Sequence, residues 1–202
     1  MSKGRNLYEG VKSQYQNLHE VHEKSASVNF SGNSKSDNPC VFLSHKSEDK
    51  PAVTAIGEYI MERGIDVYID INDPHLELAV KNEDHKAITA AIEIGISRST
   101  HLLAFITTKT QDSTWVPYEI GFAKREGNGI AAMKGKDLIK LPSYLVIAEQ
   151  VTGFESLNRY LKTILDTKPI TSPQTYYDLV SSVKNFTKAS SNNPLNNYLD
   201  LV

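Results

Sequence analysis

The chain has a single cysteine, no excess of basic residues and no apolar run of membrane-spanning length. A lone thiol, Cys40, excludes an intramolecular disulfide and fits a reducing compartment. A net charge of −2 argues against nucleic-acid binding, which favours a basic excess. Residues 1–24 also lack the apolar core of a signal peptide. We therefore expect a cytoplasmic protein that binds neither nucleic acid nor membranes.

The length of 202 residues suits one full domain with extensions. Residues 1–38 combine an amphipathic helix pattern, which includes Tyr8, with a linker rich in Ser, Asn and Gly. The apolar stripe of that helix is expected either to dock on its own domain or to mediate self-association. Residues 39–168 are predicted to form the main domain, and residues 169–202 a C-terminal helical extension.

Strand and helix patterns alternate from Cys40 onward. Strands are predicted at residues 40–44, 65–71 and 101–106, with weaker candidates at 129–133 and 144–148. Helices are predicted between them, whereas residues 72–83 are predicted to form a polar loop. This alternation indicates a central parallel sheet with helices on both faces, whose strand-to-helix loops share one edge.

The most informative stretch follows the third strand and begins at Trp115. Thr114 is predicted to cap a helix there, and Pro117 suits its first turn. In a helix, Trp115 and Glu119 lie one turn apart and point the same way. They then sit at the rim where open α/β sheets bind ligands. A packed Trp and a solvated Glu are the alternative interpretation.

The first strand leads into a second group of polar residues. Asp49 is predicted to cap the next helix, with Pro51 in its first turn. Lys46 and Lys50 can attract a phosphate group, or they can simply be solvated. Cys40 lies within an apolar run, which favours a buried and unreactive thiol.

Four motifs in order resemble those of Toll/interleukin-1 receptor (TIR) domains, in particular the bacterial kind. They are the strand and Ser-His-x-Ser-x-Asp loop at 41–50, the strand at 64–70, the helix and strand at 92–107, and Ser113-x-Trp115-x-x-x-Glu119-Ile120. The likeness fades after Lys124 and covers neither the N-terminal helix nor the tail. It implies a three-layer flavodoxin-like α/β fold, to which an N-terminal helix and a C-terminal helical extension are added.

Members of this family either cleave NAD+ between nicotinamide and ribose or act as non-catalytic adaptors. In the catalytic members the glutamate of the Trp-containing helix is essential, and it matches Glu119. The resemblance thus implies Glu119 as the catalytic residue and no metal. The candidate substrate-binding residues are Ser44, His45, Lys46, Asp70, Thr107 and Trp115. The chain lacks the Gly-x-Gly-x-x-Gly fingerprint of dehydrogenases, so NAD+ would be a substrate and no cofactor is implied.

The expected chemistry follows from the leaving group. Nicotinamide departs as a neutral base, and C1′ of the ribose becomes oxocarbenium-like, a transition state that glycosidases stabilise with carboxylates. Trp115 can offer its ring face to nicotinamide or to the cation, or it can anchor its helix on the sheet. Ser44 and His45 can hydrogen-bond the ribose or a phosphate, and Asp70 can bind ribose hydroxyls.

The leading hypothesis is an NAD+-cleaving enzyme of the kind found in Thoeris-type antiphage defence. It would make an ADP-ribose-derived cyclic or conjugated signal for a separate effector protein. Residues 72–83 resemble in position the loop through which TIR domains stack, and such self-association would exclude water from an open rim. One alternative is a non-catalytic TIR adaptor or decoy, and another is an enzyme similar to nucleoside 2-deoxyribosyltransferases.

Overall fold

The computed structural model of the chain describes residues 3–10, 38–69, 74–110, 113–167 and 193–201. Within these ranges, five parallel strands form one sheet in the order β2-β1-β3-β4-β5. The strands are β1 (Cys40–Ser44), β2 (Asp66–Tyr68), β3 (His101–Ile106), β4 (Gly129–Lys134) and β5 (Glu149–Val151). This is the doubly wound, flavodoxin-like order, which confirms the predicted fold class.

Helices connect the strands within the described ranges. They are α1 (Lys50–Glu62), α2 (Pro74–Lys81), α3 (His85–Arg98), α4 (Trp115–Arg125) and α5 (Phe154–Asp166). Short 3-10 helices occur at Leu7–Gly10, Ser47–Asp49, Ser143–Ile147 and Pro194–Asn197. Gly64 follows α1 with a φ of 74°, a conformation that glycine adopts without strain and that ends the helix.

Two sequence predictions about these elements were wrong. Residues 72–83 are not simply a polar loop, because Pro74–Lys81 form α2, whose Ala79 is buried. Residues 144–148 do not form a strand. Leu145 is buried there, while Val146 and Ile147 are 75% and 58% exposed, so this apolar run forms a 3-10 helix and β5 begins just after it.

The alternation of side chains along the strands creates a core on each face of the sheet. Val41 and Leu43 of β1 join the core made with α1 and α5. Cys40 and Phe42 join the opposite core, which α2, α3 and α4 cover. Successive side chains of a strand point to opposite faces, so a strand buried on both sides is apolar throughout.

The order of the strands decides where a ligand can bind. β1 pairs with β2 on one side and with β3 on the other, and Ser44 lies opposite Ala104. The chain leaves β1 for α1 on one face and leaves β3 for α4 on the other face. The carboxyl ends of β1 and β3 therefore flank the point at which doubly wound sheets open a crevice.

Both extensions of the predicted main domain contribute to its cores. Of the predicted N-terminal helix, the structure describes residues 3–10, where Asn6 bridges Val67 of β2 and Tyr8 is 1% exposed. Of the C-terminal extension it describes residues 193–201, where Leu195 and Leu199 are buried in the core of α1 and α5. The rest of both predicted elements lies outside the described residues.

No helix in the described part of the chain is both long and apolar enough to span a bilayer.

Candidate active site

A buried serine and a buried glutamate meet at the carboxyl edge of the sheet. Ser44 ends β1 and is 2% exposed, and Glu119 in α4 is 6% exposed. The Ser44 hydroxyl donates a hydrogen bond to Oε2 of Glu119. Because α4 follows β3 and β3 lies beside β1, the fold carries Glu119 over the end of β1. The carboxylate is thus withdrawn from bulk water and held by a specific donor, which strengthens its interaction with a nearby cation.

The start of α4 sets the direction of that glutamate. The side chain of Thr114 makes no capping hydrogen bond, so the prediction that it caps the helix was wrong. Ser113 acts in its place, because its Oγ accepts from the Trp115 backbone N–H at 3.2 Å. Trp115 is half-buried and stands edge-on to the ring of Tyr118, with centroids 6.0 Å apart.

Trp115 and Glu119 line a common cleft of about 490 Å³, in the range of small-molecule sites. Its floor is the end of β1, and its walls come from the loop after β1 and from α2, α3 and α4. The lining combines polar groups with apolar side chains. The apolar lining residues are Phe42, Leu43, Leu76, Val80, Ile88 and Ile92. Polar groups that converge beside apolar and aromatic side chains are typical of a ligand site.

The structure brings five of the seven predicted site residues together. Those that line the cleft are Ser44, His45, Lys46, Trp115 and Glu119. Thr107 instead lines a second cavity of about 630 Å³, on the far side of the loop after β1. Asp70 lies outside the described residues. The substrate roles of all these residues stay predictions.

The ring of His45 is held by its own strand. Its Nδ1 lies 2.9 Å from the carbonyl oxygen of Leu43. A carbonyl only accepts, so Nδ1 carries the proton in this bond and Nε2 is the ring nitrogen that a ligand can contact.

Two lysines stand at the rim of the cleft, each beside a carboxylate. The Nζ of Lys50 lies 3.1 Å from Oε1 of Glu77 in α2. The Nζ of Lys46 lies 3.5 Å from Oε1 of Glu48. Solvent-exposed pairs of this kind contribute about 0–1 kcal/mol, so a phosphate group can replace either carboxylate at little cost.

The carboxylate of Asp49 behaves differently from the prediction. Its side chain makes no capping bond to α1, although Pro51 does occupy the first turn as predicted. Asp49 is 6% exposed and accepts from Oγ1 of Thr107 at 2.8 Å. The Nζ of Lys109 lies 3.5 Å from its other oxygen. The reason is geometric, since the loops after β1 and β3 are adjacent, and this bond ties them together.

Sequence reasoning missed the wall that α2 contributes. Leu76, Glu77 and Val80 line the cleft from this helix. A signal was present, because Pro74 suits a first helical turn and Leu76, Ala79 and Val80 follow at spacings of three and four. The signal was weak because the helix is only eight residues long and two polar residues, Asn72 and Asp73, come directly before it.

Comparison with known proteins agrees with this geometry. The family model described as the TIR domain matches residues 41–141, which is half of the chain. The matched range contains all of β1 except Cys40, β2 to β4, α1 to α4 and all the residues that line the cleft. A search of curated proteins found no match. The chain therefore belongs to the TIR domain family.

Proposed function

We propose that this protein cleaves NAD+ at the bond between nicotinamide and ribose. The observation that carries the proposal is the hydrogen bond from Ser44 to the buried carboxylate of Glu119, inside a cleft that Trp115 also lines. Some TIR domains have this activity and others do not, so family membership alone does not decide between them. The buried and oriented carboxylate supports the catalytic kind.

The reaction proceeds by heterolysis of the C1′–N1 bond. The electron pair leaves with N1, so the cationic pyridinium departs as neutral nicotinamide, and positive charge develops at C1′ and the ring oxygen. The carboxylate of Glu119 stabilises that charge, and Ser44 keeps one of its oxygens in place. Attack by water at C1′ gives ADP-ribose and a proton. Attack by a hydroxyl or a ring nitrogen of the same molecule gives a cyclic product and a proton.

The lining of the cleft matches the parts of this substrate. Trp115 offers an indole for the flat nicotinamide ring, a contact worth about 0.5–2 kcal/mol if the ring is cationic. Lys46 and Lys50 at the rim provide positive charge for the pyrophosphate. NAD+ is the substrate in this scheme.

Self-association would cover the side of the cleft that a single chain leaves exposed to water. The cleft is broad, and water that reaches C1′ favours hydrolysis over cyclisation. TIR domains commonly self-associate, and a second copy over the rim would exclude water. We propose a cytoplasmic enzyme that is active when assembled and whose cyclic or conjugated product signals to a separate effector in antiphage defence, as in Thoeris-type systems.

The deciding experiment replaces the carboxylate with its neutral isostere. Glu119→Gln should lower nicotinamide release from NAD+ by about 10²–10³-fold, the usual cost of losing one preorganised electrostatic group. The matched control is Glu58→Gln, which neutralises an exposed glutamate on α1 and should leave the rate unchanged. Both proteins are measured at high concentration, by chromatography with mass spectrometry, and circular dichroism confirms their folds.

The other outcomes point to the alternative functions. If Glu119→Gln retains full biological activity, the protein works as a non-catalytic adaptor through TIR contacts. If the wild-type protein exchanges the bases of deoxynucleosides and leaves NAD+ intact, it is a deoxyribosyltransferase-like enzyme. The same mass spectra separate linear ADP-ribose from cyclic and conjugated products.

A further inference from the structure

Residues 4–6 extend the sheet along the outer edge of β2. The backbone N–H of Val67 donates to the carbonyl of Arg5 at 2.9 Å, and the N–H of Arg5 donates to Oδ1 of Asp66 at 2.8 Å. Gly4 donates to the carbonyl of Met61 at 2.7 Å. A Cβ at Gly4 would overlap the carbonyl of Ile65, so the segment lies tightly against the domain. Residues 4–6 therefore cover the outer edge of β2, where backbone N–H and C=O groups would otherwise be open for pairing.

Asn6 holds the residue that follows β2 by both of its backbone groups. Its Nδ2 donates to the carbonyl of Ile69 at 3.0 Å, and its Oδ1 accepts from the N–H of Ile69 at 3.1 Å. A side-chain amide carries a donor and an acceptor on one planar group, which is what such a double contact requires. Tyr8 secures the segment further on, since it is 1% exposed and stands edge-on to Tyr68 at 6.0 Å.

Ile69, the residue that Asn6 holds, precedes in sequence the helix α2, which forms one wall of the cleft. Ile69 is 4% exposed, and α2 begins five residues later at Pro74. α2 brings Leu76, Glu77 and Val80 to the cleft. A helix of eight residues is not stable alone, so its position depends on its contact with α3 and on where the chain before it is fixed.

We propose that Asn6 is a positioning residue for the candidate active site. By fixing the end of β2 it sets the position of α2 and so the width of the cleft. Residues 3–8 therefore act on substrate binding from outside the cleft, on the edge of the sheet. The structural part of this inference stands without the proposed reaction, whereas its effect on substrate binding rests on the proposed function.

The first test measures backbone hydrogen exchange in the full chain without substrate. In Asn6→Ala, peptides that cover Pro74–Lys81 should exchange about tenfold faster than in the wild type, because the loss of three side-chain hydrogen bonds, two with Ile69 and one from the Tyr8 N–H, favours local opening. Peptides that cover Trp115–Arg125 should be unchanged. The control is Lys3→Ala, which alters an exposed residue of the same segment. Unchanged exchange in Pro74–Lys81, or faster exchange in every peptide alike, would overturn the inference.

The second test uses steady-state kinetics with NAD+. Asn6→Ala should raise KM about fivefold or more and change kcat less than twofold, because it loosens a binding wall and leaves Glu119 in place. Asn6→Asp keeps the acceptor for the Ile69 N–H but turns a carboxylate oxygen toward the Ile69 carbonyl in place of the donor, so its KM and its exchange rates should rise at least as far as those of Asn6→Ala. Asn6→Asp also carries both comparisons if Asn6→Ala does not fold. A fall in kcat at constant KM would contradict a positioning role through α2.

The two tests separate the inference from the proposed reaction. If the wild-type protein does not turn over NAD+, the proposed function fails, while the exchange measurement still decides whether Asn6 holds α2. If NAD+ is cleaved and Asn6→Ala matches Lys3→Ala in both tests, the inference fails and the proposed function stands.

Discussion

Replacement of Ser44 by alanine tests the central contact of the cleft. The hydroxyl donates to a carboxylate, and both residues are nearly inaccessible to water, with exposures of 2% and 6%. A hydrogen bond to a charged group is worth about 1.5–3 kcal/mol, and each 1.36 kcal/mol corresponds to tenfold in rate. If Ser44 orients Glu119 toward C1′, Ser44→Ala should lower kcat/KM for NAD+ by about 10–150-fold.

The assay is nicotinamide release at NAD+ concentrations well below KM, where the initial rate reports kcat/KM directly. Ser143→Ala is the matched control, because it removes an exposed hydroxyl from the 3-10 helix before β5. The reasoning is refuted if Ser44→Ala stays within twofold of the wild type while Glu119→Gln is inactive. The Ser44 bond would then hold the fold without contributing to the transition state.

Three further predictions concern the core, the thiol and the indole. Leu199→Ala should lower the free energy of unfolding, measured by urea titration, by about 2–5 kcal/mol, because Leu199 is buried in the core with 1% of its surface exposed. A loss below about 0.5 kcal/mol would show that residues 193–201 are not docked. Burial raises the pKa of Cys40 to about 12, so the folded protein should resist iodoacetamide at pH 8 and react only on unfolding, and rapid labelling of the native protein would contradict this. The free energy of unfolding should fall as the pH rises from about 9 toward 12, because the thiol of the unfolded chain ionises first. Trp115 is the only tryptophan of the sequence and lines the cleft, so saturating NAD+ should change the fluorescence of inactive Glu119→Gln, and a constant signal would place the substrate elsewhere.

The parts of the fold that sequence could predict are those encoded by local periodicity. The apolar run of residues 40–44 correctly predicted strand β1. The spacing of Trp115 and Glu119 correctly predicted that both lie on one helix, α4, and face the same cleft. Ser44 was expected at the end of a strand, and it is there. The hydrogen bond between Ser44 and Glu119 joins residues 75 positions apart, and it required the strand order to be known.

The parts that sequence missed depend on contacts between distant segments. Asp49 has the sequence position of a helix cap, yet Thr107 and Lys109 hold its carboxylate once β1 and β3 lie side by side. The docking of Asn6 beside β2 leaves no periodic pattern, because it consists of one backbone bridge to Val67 and the contact of one side-chain amide with the two backbone groups of Ile69. Helix α2 was missed because only one of its residues, Ala79, is fully buried among those whose exposure is described.

The docked segment of residues 193–201 has a consequence for how the protein matures in the cell. Leu195 and Leu199 complete the hydrophobic layer between α1 and α5, and Asp200 accepts from the Phe154 N–H through its carbonyl. That layer stays unfinished on the ribosome until residue 199 has emerged, although its other members were synthesised much earlier. Until this segment docks, the apolar side chains of α1 and α5 that it covers stay exposed to water, so the last residues to be synthesised are needed to complete this core.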